Sequence, residues 1–315
     1  MDMNVKYNEP WILQRADPYV ILADDGWYYF TASVPAYDMI VLRRARKLVE
    51  LADAPEKTIW VKHESGPMSK HIWAPELHYL FGKWYIYYAG GEMENEWNIR
   101  PYVLECQGQD PYEDEWIEKG KIQRAEDDEF SFEAFSLDTH VFENNSKWYC
   151  VWAEKVGVGK QISNLYIAEM ENGYTLKTVQ VLLTTPDYDW ERYGFWVNEG
   201  PGTIKHGGKI FLTFSASDTG IHYCVGMLTA DENSDLLDPK SWDKSRYPVL
   251  CTSEENEIYG PGHNSFTKDE EGNDIMVYHA RTEAEIIGNP LYNPNRHAMI
   301  MKIKWDENGQ PIFEY

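Results

Sequence analysis

Three carboxylates hold matching places in an internal repeat, and that spacing points to a shared acidic site. The repeat is a hairpin of an apolar strand, a tight polar turn and an aromatic-rich strand. It reads Asp24-Asp25-Gly26-Trp27-Tyr28-Tyr29-Phe30 first, then Phe81-Gly82-Lys83-Trp84-Tyr85-Ile86-Tyr87, then Asn145-Ser146-Lys147-Trp148-Tyr149. It returns as Gly207-Gly208-Lys209-Ile210-Phe211-Leu212 and as Glu271-Gly272-Asn273-Asp274-Ile275-Met276. Turn positions 26, 82, 146, 208 and 272 differ by 56, 64, 62 and 64 residues. Ten or eleven residues before the aromatic strand lie Asp17, Asp138 and Glu199 in copies one, three and four. In a radial repeat fold, equivalent positions converge on one axis. Carboxylates gathered there are costly unless solvated, paired or put to use. Two carboxyl groups in one site, one protonated and one ionised, can act as general acid and general base. A third negative charge nearby would raise the pKa of the proton donor. Taken singly, Asp17 before Pro18 is also a turn residue, and Asp138 and Glu199 also suit caps or solvated loops.

The elements that must position these acids are strands. Trp, Tyr, Val, Ile and Thr cluster in runs of four to eight between Gly, Asp, Asn and Pro, and aromatics make up 15% of the chain. That composition suits sheet faces packed on one another. Helical periodicity is weak. Its best stretch, Arg43 to Asp53, reads as a short helix or a charged loop. The expectation is an all-β, five-bladed β-propeller whose single domain spans residues 1–315, with the first strand of each blade at the axis. Three long aromatic and acidic loops, roughly 91–98, 126–135 and 186–197, are candidates to wall a pocket.

Charge narrows the partners. Lys and Arg number 29 against 52 Asp and Glu, a net charge of −23. Nucleic acid and anionic membrane surfaces are thereby disfavoured. No stretch approaches the ~18 apolar residues of a spanning helix, and the first residues show no signal-like apolar core. A cytoplasmic location is expected. Cys106, Cys150, Cys224 and Cys251 form no C-x-x-C or metal-type spacing, and Cys150 and Cys224 fit a reduced core. Asn144-Asn145-Ser146 fits a glycosylation sequon but reads as a turn. The chain lacks H-E-x-x-H, P-loop and G-x-S-x-G patterns. Gly157-Val158-Gly159 lacks the third glycine of a dinucleotide fingerprint.

Several further segments complete a pattern: Arg15-Ala16-Asp17-Pro18-Tyr19-Val20, Trp73-Ala74-Pro75-Glu76, Ser136-Leu137-Asp138-Thr139-His140-Val141-Phe142, Asn198-Glu199-Gly200-Pro201, Gly260-Pro261-Gly262-His263-Asn264 and Arg296-His297-Ala298-Met299. In this order the chain resembles glycoside hydrolase family 43 along essentially its whole length. The resemblance implies Asp17 as general base, Glu199 as general acid and Asp138 as the acid that orients and tunes Glu199. It implies Trp73 as a sugar-stacking platform rather than sheet core. It makes Arg296 a donor to sugar hydroxyls, with a carboxylate partner as the alternative. It places His263 under the pocket, where many members hold a calcium ion with a structural role; no cofactor is required for the chemistry. His140 and His279 fit supporting positions. Related fructoside hydrolases carry Asn-Asp-Pro-Asn near the first acid, and Arg-Ala-Asp-Pro-Tyr departs from it. The implied activity is inverting, exo-acting release of terminal α-L-arabinofuranosyl units from neutral arabinoxylan- or arabinan-derived oligosaccharides. Alternatives are β-D-xylosidase action, endo-arabinanase action, or a carbohydrate-binding propeller without turnover.

Overall fold

Each sequence hairpin becomes the first two strands of an antiparallel sheet. The computed structural model describes residues 6–156 and 160–315; the first five residues and Gly157-Val158-Gly159 lie outside the described residues. The turn residues Gly26, Gly82, Ser146, Gly208 and Gly272 all take positive φ, between 62° and 81°. Only glycine reaches that region without a steric penalty, which is why four of the five are glycine.

The first sheet runs Ala16–Leu22, Tyr28–Ser33, Met39–Ala45 and Lys57–Val61 in sequence order. The second is Lys70–Leu80, Lys83–Gly91, Arg100–Cys106 and Trp116–Lys121. The third holds Ser136–Asn144, Lys147–Lys155 and Ile162–Asn172, with Val181–Thr184 on the last of these. The fourth holds Trp196–His206, Lys209–Ala216, Cys224–Asp231 and Asp243–Lys244. A short parallel pairing of Ile162 and Ser163 with Trp196 and Val197 joins the third and fourth. The fifth is Tyr259–Lys268, Asp274–Arg281 and His297–Lys302. Its outer edge is covered by the N-terminal segment: Ile12 pairs antiparallel with Ala298, and Asn8 N–H donates to the Ile300 carbonyl at 2.9 Å. An open strand edge is thereby paired.

Five apolar clusters lie one between each pair of successive sheets. Trp84, Ile86 and Tyr88 pack with Tyr29, Ile40 and Leu42 between the first and second sheets. Tyr85 and Tyr87 meet Cys150 and Trp152 between the second and third. Val151 and Ile167 meet Leu212 and Phe214 next. Phe211 and Val225 meet Met276 and Tyr278 after that. The last cluster joins Ile275, Val277 and Ile300 to Val20, Tyr28 and Phe30, from the fifth sheet back to the first. Burying an aromatic or branched side chain stabilises by about 1.5–3 kcal/mol, so the five interfaces dominate the packing energy. The first strands of consecutive sheets also touch one another, including the fifth with the first. They form a closed ring.

Arg43 to Asp53 divides. Arg43 to Ala45 end a strand, and Leu48–Ala52 form a short 3-10 helix that buries Leu48 and Leu51. Cys106, Cys150 and Cys224 are buried free thiols, and Cys251 is exposed. Asn145 and Ser146 form a positive-φ turn, and the Asn144 side chain is buried against the Glu232 carbonyl. Among the described residues, no helix is long and apolar enough to cross a membrane.

Candidate active site

Every strand of the inner ring carries the same irregularity. In the first sheet Ala16 pairs with Ser33 and Tyr19 with Thr31, so Asp17 and Pro18 oppose one residue. The same two-for-one bulge falls at Ala74-Pro75, Asp138-Thr139, Gly200-Pro201 and His263-Asn264. The first residue of each bulge is left-handed: φ is 55° at Asp17, 46° at Ala74, 55° at Asp138, 54° at Gly200 and 45° at His263. A bulge re-aims side chains and is common beside active sites. The left-handed conformation costs a non-glycine residue about 1–2 kcal/mol.

Side chains from the preceding sheet bind the amides at these bulges. His279 Nδ1 accepts Asp17 N–H at 3.0 Å, and Ser33 Oγ accepts Ala74 N–H at 2.8 Å. Asp138 Oδ2 accepts Gly200 N–H at 2.9 Å, and Ser215 Oγ accepts His263 N–H at 2.7 Å. Each such bond contributes about 1 kcal/mol, enough to offset much of the strain. The bonds also tie neighbouring sheets at the axis.

This register corrects the repeat equivalence expected from spacing. Asp17 and Asp138 occupy the bulge position, whereas its counterpart in the fourth sheet is Gly200. Glu199 sits one residue earlier, level with Ala16, Trp73, Leu137 and Gly262. It still belongs to the same cluster, because Asp138 grips the amide that follows it.

The three acids occupy different environments. Asp17 is buried; Ser33 Oγ donates to its Oδ2 at 2.6 Å. Arg296 Nη1 lies 3.4 Å from its Oδ1, and His263 Nδ1 and His279 Nδ1 each lie 3.3 Å from the same oxygen. Burial works against ionisation, yet His263, Arg296 and His279 together hold the Asp17 pKa far below the usual carboxylate range. Burial pushes both histidines toward neutrality, His279 to about 3. At neutral pH the standing positive charge facing Asp17 is therefore Arg296, whose pKa is raised.

Glu199 is partly exposed, and Tyr223 Oη donates to its Oε1 at 2.9 Å. Burial raises its pKa to about 7, with Asp17 adding to the rise and Tyr223, Lys155 and Arg296 opposing it. Asp138 is buried and strongly raised, by burial first and then by the charges of Glu199 and Asp17. Asp138 and Glu199 therefore titrate as a pair that retains a proton near neutrality.

An aromatic wall adjoins the acids. Arg296 Nη2 donates to Tyr37 Oη at 2.8 Å, and Tyr37 meets Trp73 edge-on at 5.8 Å. Trp73 is buried and stacks on His71 at 4.5 Å, while exposed Trp97 lies 5.2 Å from His71. Both sequence alternatives for Arg296 bear on this geometry, since it is a carboxylate partner already. Of the three long loops, the one at 186–197 is pinned by buried Glu191. That carboxylate accepts from Asp187 N–H, Tyr188 N–H and the Asn198 amide, and pairs with Lys244 at 2.6 Å. The loop at 126–135 is pinned by Asp128, which accepts from Phe130 N–H and Ser131 N–H, and by Glu154, which accepts from Phe132 N–H and Ala134 N–H.

Ser33, Tyr37, Tyr223 and His279 are site residues that spacing did not single out. They lie on or beside the second and third strands of their sheets, and only strand register brings them to the axis.

Among the described residues, one group of His, Cys, Asp or Glu donors is close enough to share an ion: Glu76, His78 and His140. His263, where calcium was expected, is not in it. Glu76 Oε2 meets His78 Nε2 at 2.7 Å and His140 Nδ1 at 2.8 Å, and Thr203 and Tyr19 hydroxyls meet the other ring nitrogens. Two ring nitrogens and one carboxylate do not fit calcium, which takes six to eight oxygens. The set is complete as a hydrogen-bond network.

The chain is 48% identical to an α-L-arabinofuranosidase of known structure from Lactobacillus brevis, with a TM-score of 0.90 and 98% of each chain covered. It is 47% identical to the extracellular exo-α-(1→5)-L-arabinofuranosidase of Streptomyces avermitilis, over 98% of this chain and 63% of that protein. It is 48% identical to the extracellular enzyme of the same description from Streptomyces chartreusis, over 90% of this chain and 85% of that one. The chain thus spans less than two thirds of the length of the Streptomyces avermitilis relative. The extracellular names of the two Streptomyces relatives overturn the expected cytoplasmic location. The absence of a signal-like core at residue 1 was too weak a ground for it. The model of the family described as "Glycosyl hydrolases family 43" matches residues 7–311, and the chain belongs to that family.

Proposed function

We propose that this chain is an exo-acting, inverting α-L-arabinofuranosidase that releases terminal arabinofuranosyl units from arabinan- or arabinoxylan-derived oligosaccharides. Residues 1–315 form one catalytic domain, a five-bladed β-propeller whose axis is the ring of five inner strands. The names of the relatives at 47–48% identity support arabinofuranoside as the sugar.

Glu199 is the general acid and Asp17 the general base. Glu199 gives its proton to the leaving glycosidic oxygen as the anomeric C–O bond breaks. Asp17 takes a proton from the water that attacks the opposite face, and the sugar leaves with inverted configuration. Solvent then returns a proton to Glu199 and removes one from Asp17. Asp138 tunes Glu199 as its partner in a coupled pair and orients it through Gly200 N–H. Trp73 contributes an apolar face for the sugar, and Arg296 joins the wall while holding Asp17 ionised. His263 positions Asp17.

The observation that carries this reading is the split between the two carboxyls: Asp17 is held ionised and Glu199 holds its proton to about 7. Initial rates on phenyl α-L-arabinofuranoside and phenyl β-D-xyloside, whose leaving oxygen needs a proton, test it. Arabinose release, lost in both Glu199→Gln and Asp17→Asn, is expected. Turnover that survives both substitutions would refute the assignment, and internal cutting of arabinan would refute exo action.

A further inference from the structure

Tyr223 links the two carboxyls of the proposed mechanism. Its hydroxyl donates to Glu199 Oε1 at 2.9 Å. Its ring lies parallel to that of His279, with centroids 5.5 Å apart and planes 7° apart. His279 in turn accepts Asp17 N–H at 3.0 Å. The chain of contacts runs from Glu199 through two stacked rings to the backbone of Asp17, and both rings are buried to within 1%.

The Gly260-Pro261-Gly262 segment has its physical reason here. A Cβ on Gly262 would come within 2.4 Å of Tyr223 Cε1 and 2.6 Å of its Cδ1. Gly262 is also the cross-strand neighbour of His279. A bare backbone at this point gives Tyr223 its seat beside the histidine. Substitution at Gly262 must displace the ring, because ring and strand are both packed.

We infer that Tyr223, seated on Gly262 and stacked on His279, is a positioning residue that fixes the separation and orientation of Glu199 relative to Asp17. The inference rests on the acid and base roles proposed above. An inverting pair needs room for one water, a carboxyl separation of ~6.5–9.5 Å, and a rigid aromatic spacer holds such a gap better than two free side chains do. The groups facing Glu199 are Tyr223 from its own sheet, Asp17 from the first, Asp138 and Lys155 from the third, and Arg296 from the fifth. Of these, Tyr223 is the one that donates a hydrogen bond to it.

The test is the pH dependence of kcat and KM on phenyl α-L-arabinofuranoside, whose leaving oxygen needs a proton, for Tyr223→Phe, Gly262→Ala and Glu199→Gln beside the unaltered chain. Tyr223→Phe keeps the ring in its seat and removes only the hydroxyl. A hydrogen bond to the carboxylate favours its ionised form, so its loss moves the alkaline limb to higher pH. The expected fall in kcat is about tenfold, with KM within about twofold because the hydroxyl does not hold substrate. Gly262→Ala shifts the ring and costs more kcat at an unchanged circular dichroism spectrum. If Gly262→Ala fails to fold, Tyr223→Phe decides alone. Unchanged kcat and an unmoved alkaline limb in Tyr223→Phe, with Glu199→Gln inactive, would overturn the inference and leave the acid assignment standing. Full turnover in Glu199→Gln, or none in the unaltered chain, would overturn both.

Discussion

The Asp17 corner and the Glu199 corner differ in what surrounds a buried carboxyl. Asp17 faces a guanidinium, two histidines and a serine hydroxyl, and lies wholly inside. Glu199 faces another acid's field, one tyrosine hydroxyl and partial access to solvent. Burial pushes both pKa values upward, and the neighbours decide the outcome. His263, Arg296 and His279 together overcome burial at Asp17, whereas the charge of Asp17 adds to burial at Glu199. One acidic cluster thereby contains a group fit to take a proton and a group fit to give one.

The largest effects follow from removing either side of this contrast. Asp17→Asn and Glu199→Gln are each expected to lower kcat on an oligosaccharide by roughly 10²–10⁴-fold, measured as initial rates at matched folded protein. Next comes the charge behind Asp17. Arg296→Gln leaves a buried carboxylate unpaired, which costs about 3–5 kcal/mol of stability and raises the Asp17 pKa. The acid limb of kcat/KM should move to higher pH, since Asp17 is then protonated earlier as pH falls; thermal melting and a pH–rate profile read the two effects.

Asp138→Asn acts on the other corner. Without the second acid of the pair Glu199 titrates alone, so the alkaline limb moves to lower pH. At pH 7 kcat/KM should drop about tenfold while the melting temperature holds, because a neutral amide still accepts Gly200 N–H. An alkaline limb that stays in place would show that Asp138 does not tune Glu199. The smallest effect is expected at Ser33→Ala. It removes one bond to Asp17 and the acceptor of Ala74 N–H, a loss of about 1–3 kcal/mol that urea unfolding would register.

The five hairpins were legible because their turns demand positive φ and glycine marks four of them. Asp17 and Asp138 were legible because both occupy the bulge. Glu199 was found by a spacing one residue off, and the error has a cause: Gly200 takes the left-handed position, and Pro201 follows it as Pro18 follows Asp17. Two of the four amide acceptors were not legible: Ser33 and Ser215 resemble any strand serine until register sets them beside the next sheet. Tyr223 was hidden among 22 tyrosines. The acidity of the chain spoke only to its partners, yet Glu76, Asp128, Glu154 and Glu191 are buried organisers of loops and axis. Location was misread, because an apparent lack of a leader says little about where a chain works.

The most direct test of the division of labour pairs each acid variant with two leaving groups. Rates of Glu199→Gln and Asp17→Asn are compared on an alkyl α-L-arabinofuranoside and on its 2,4-dinitrophenyl counterpart, whose departure needs no proton. Glu199→Gln should recover most of its rate on the dinitrophenyl substrate, and Asp17→Asn should stay slow on both, since the water still lacks its base. Recovery by Asp17→Asn with none by Glu199→Gln would contradict the account and reverse the two roles.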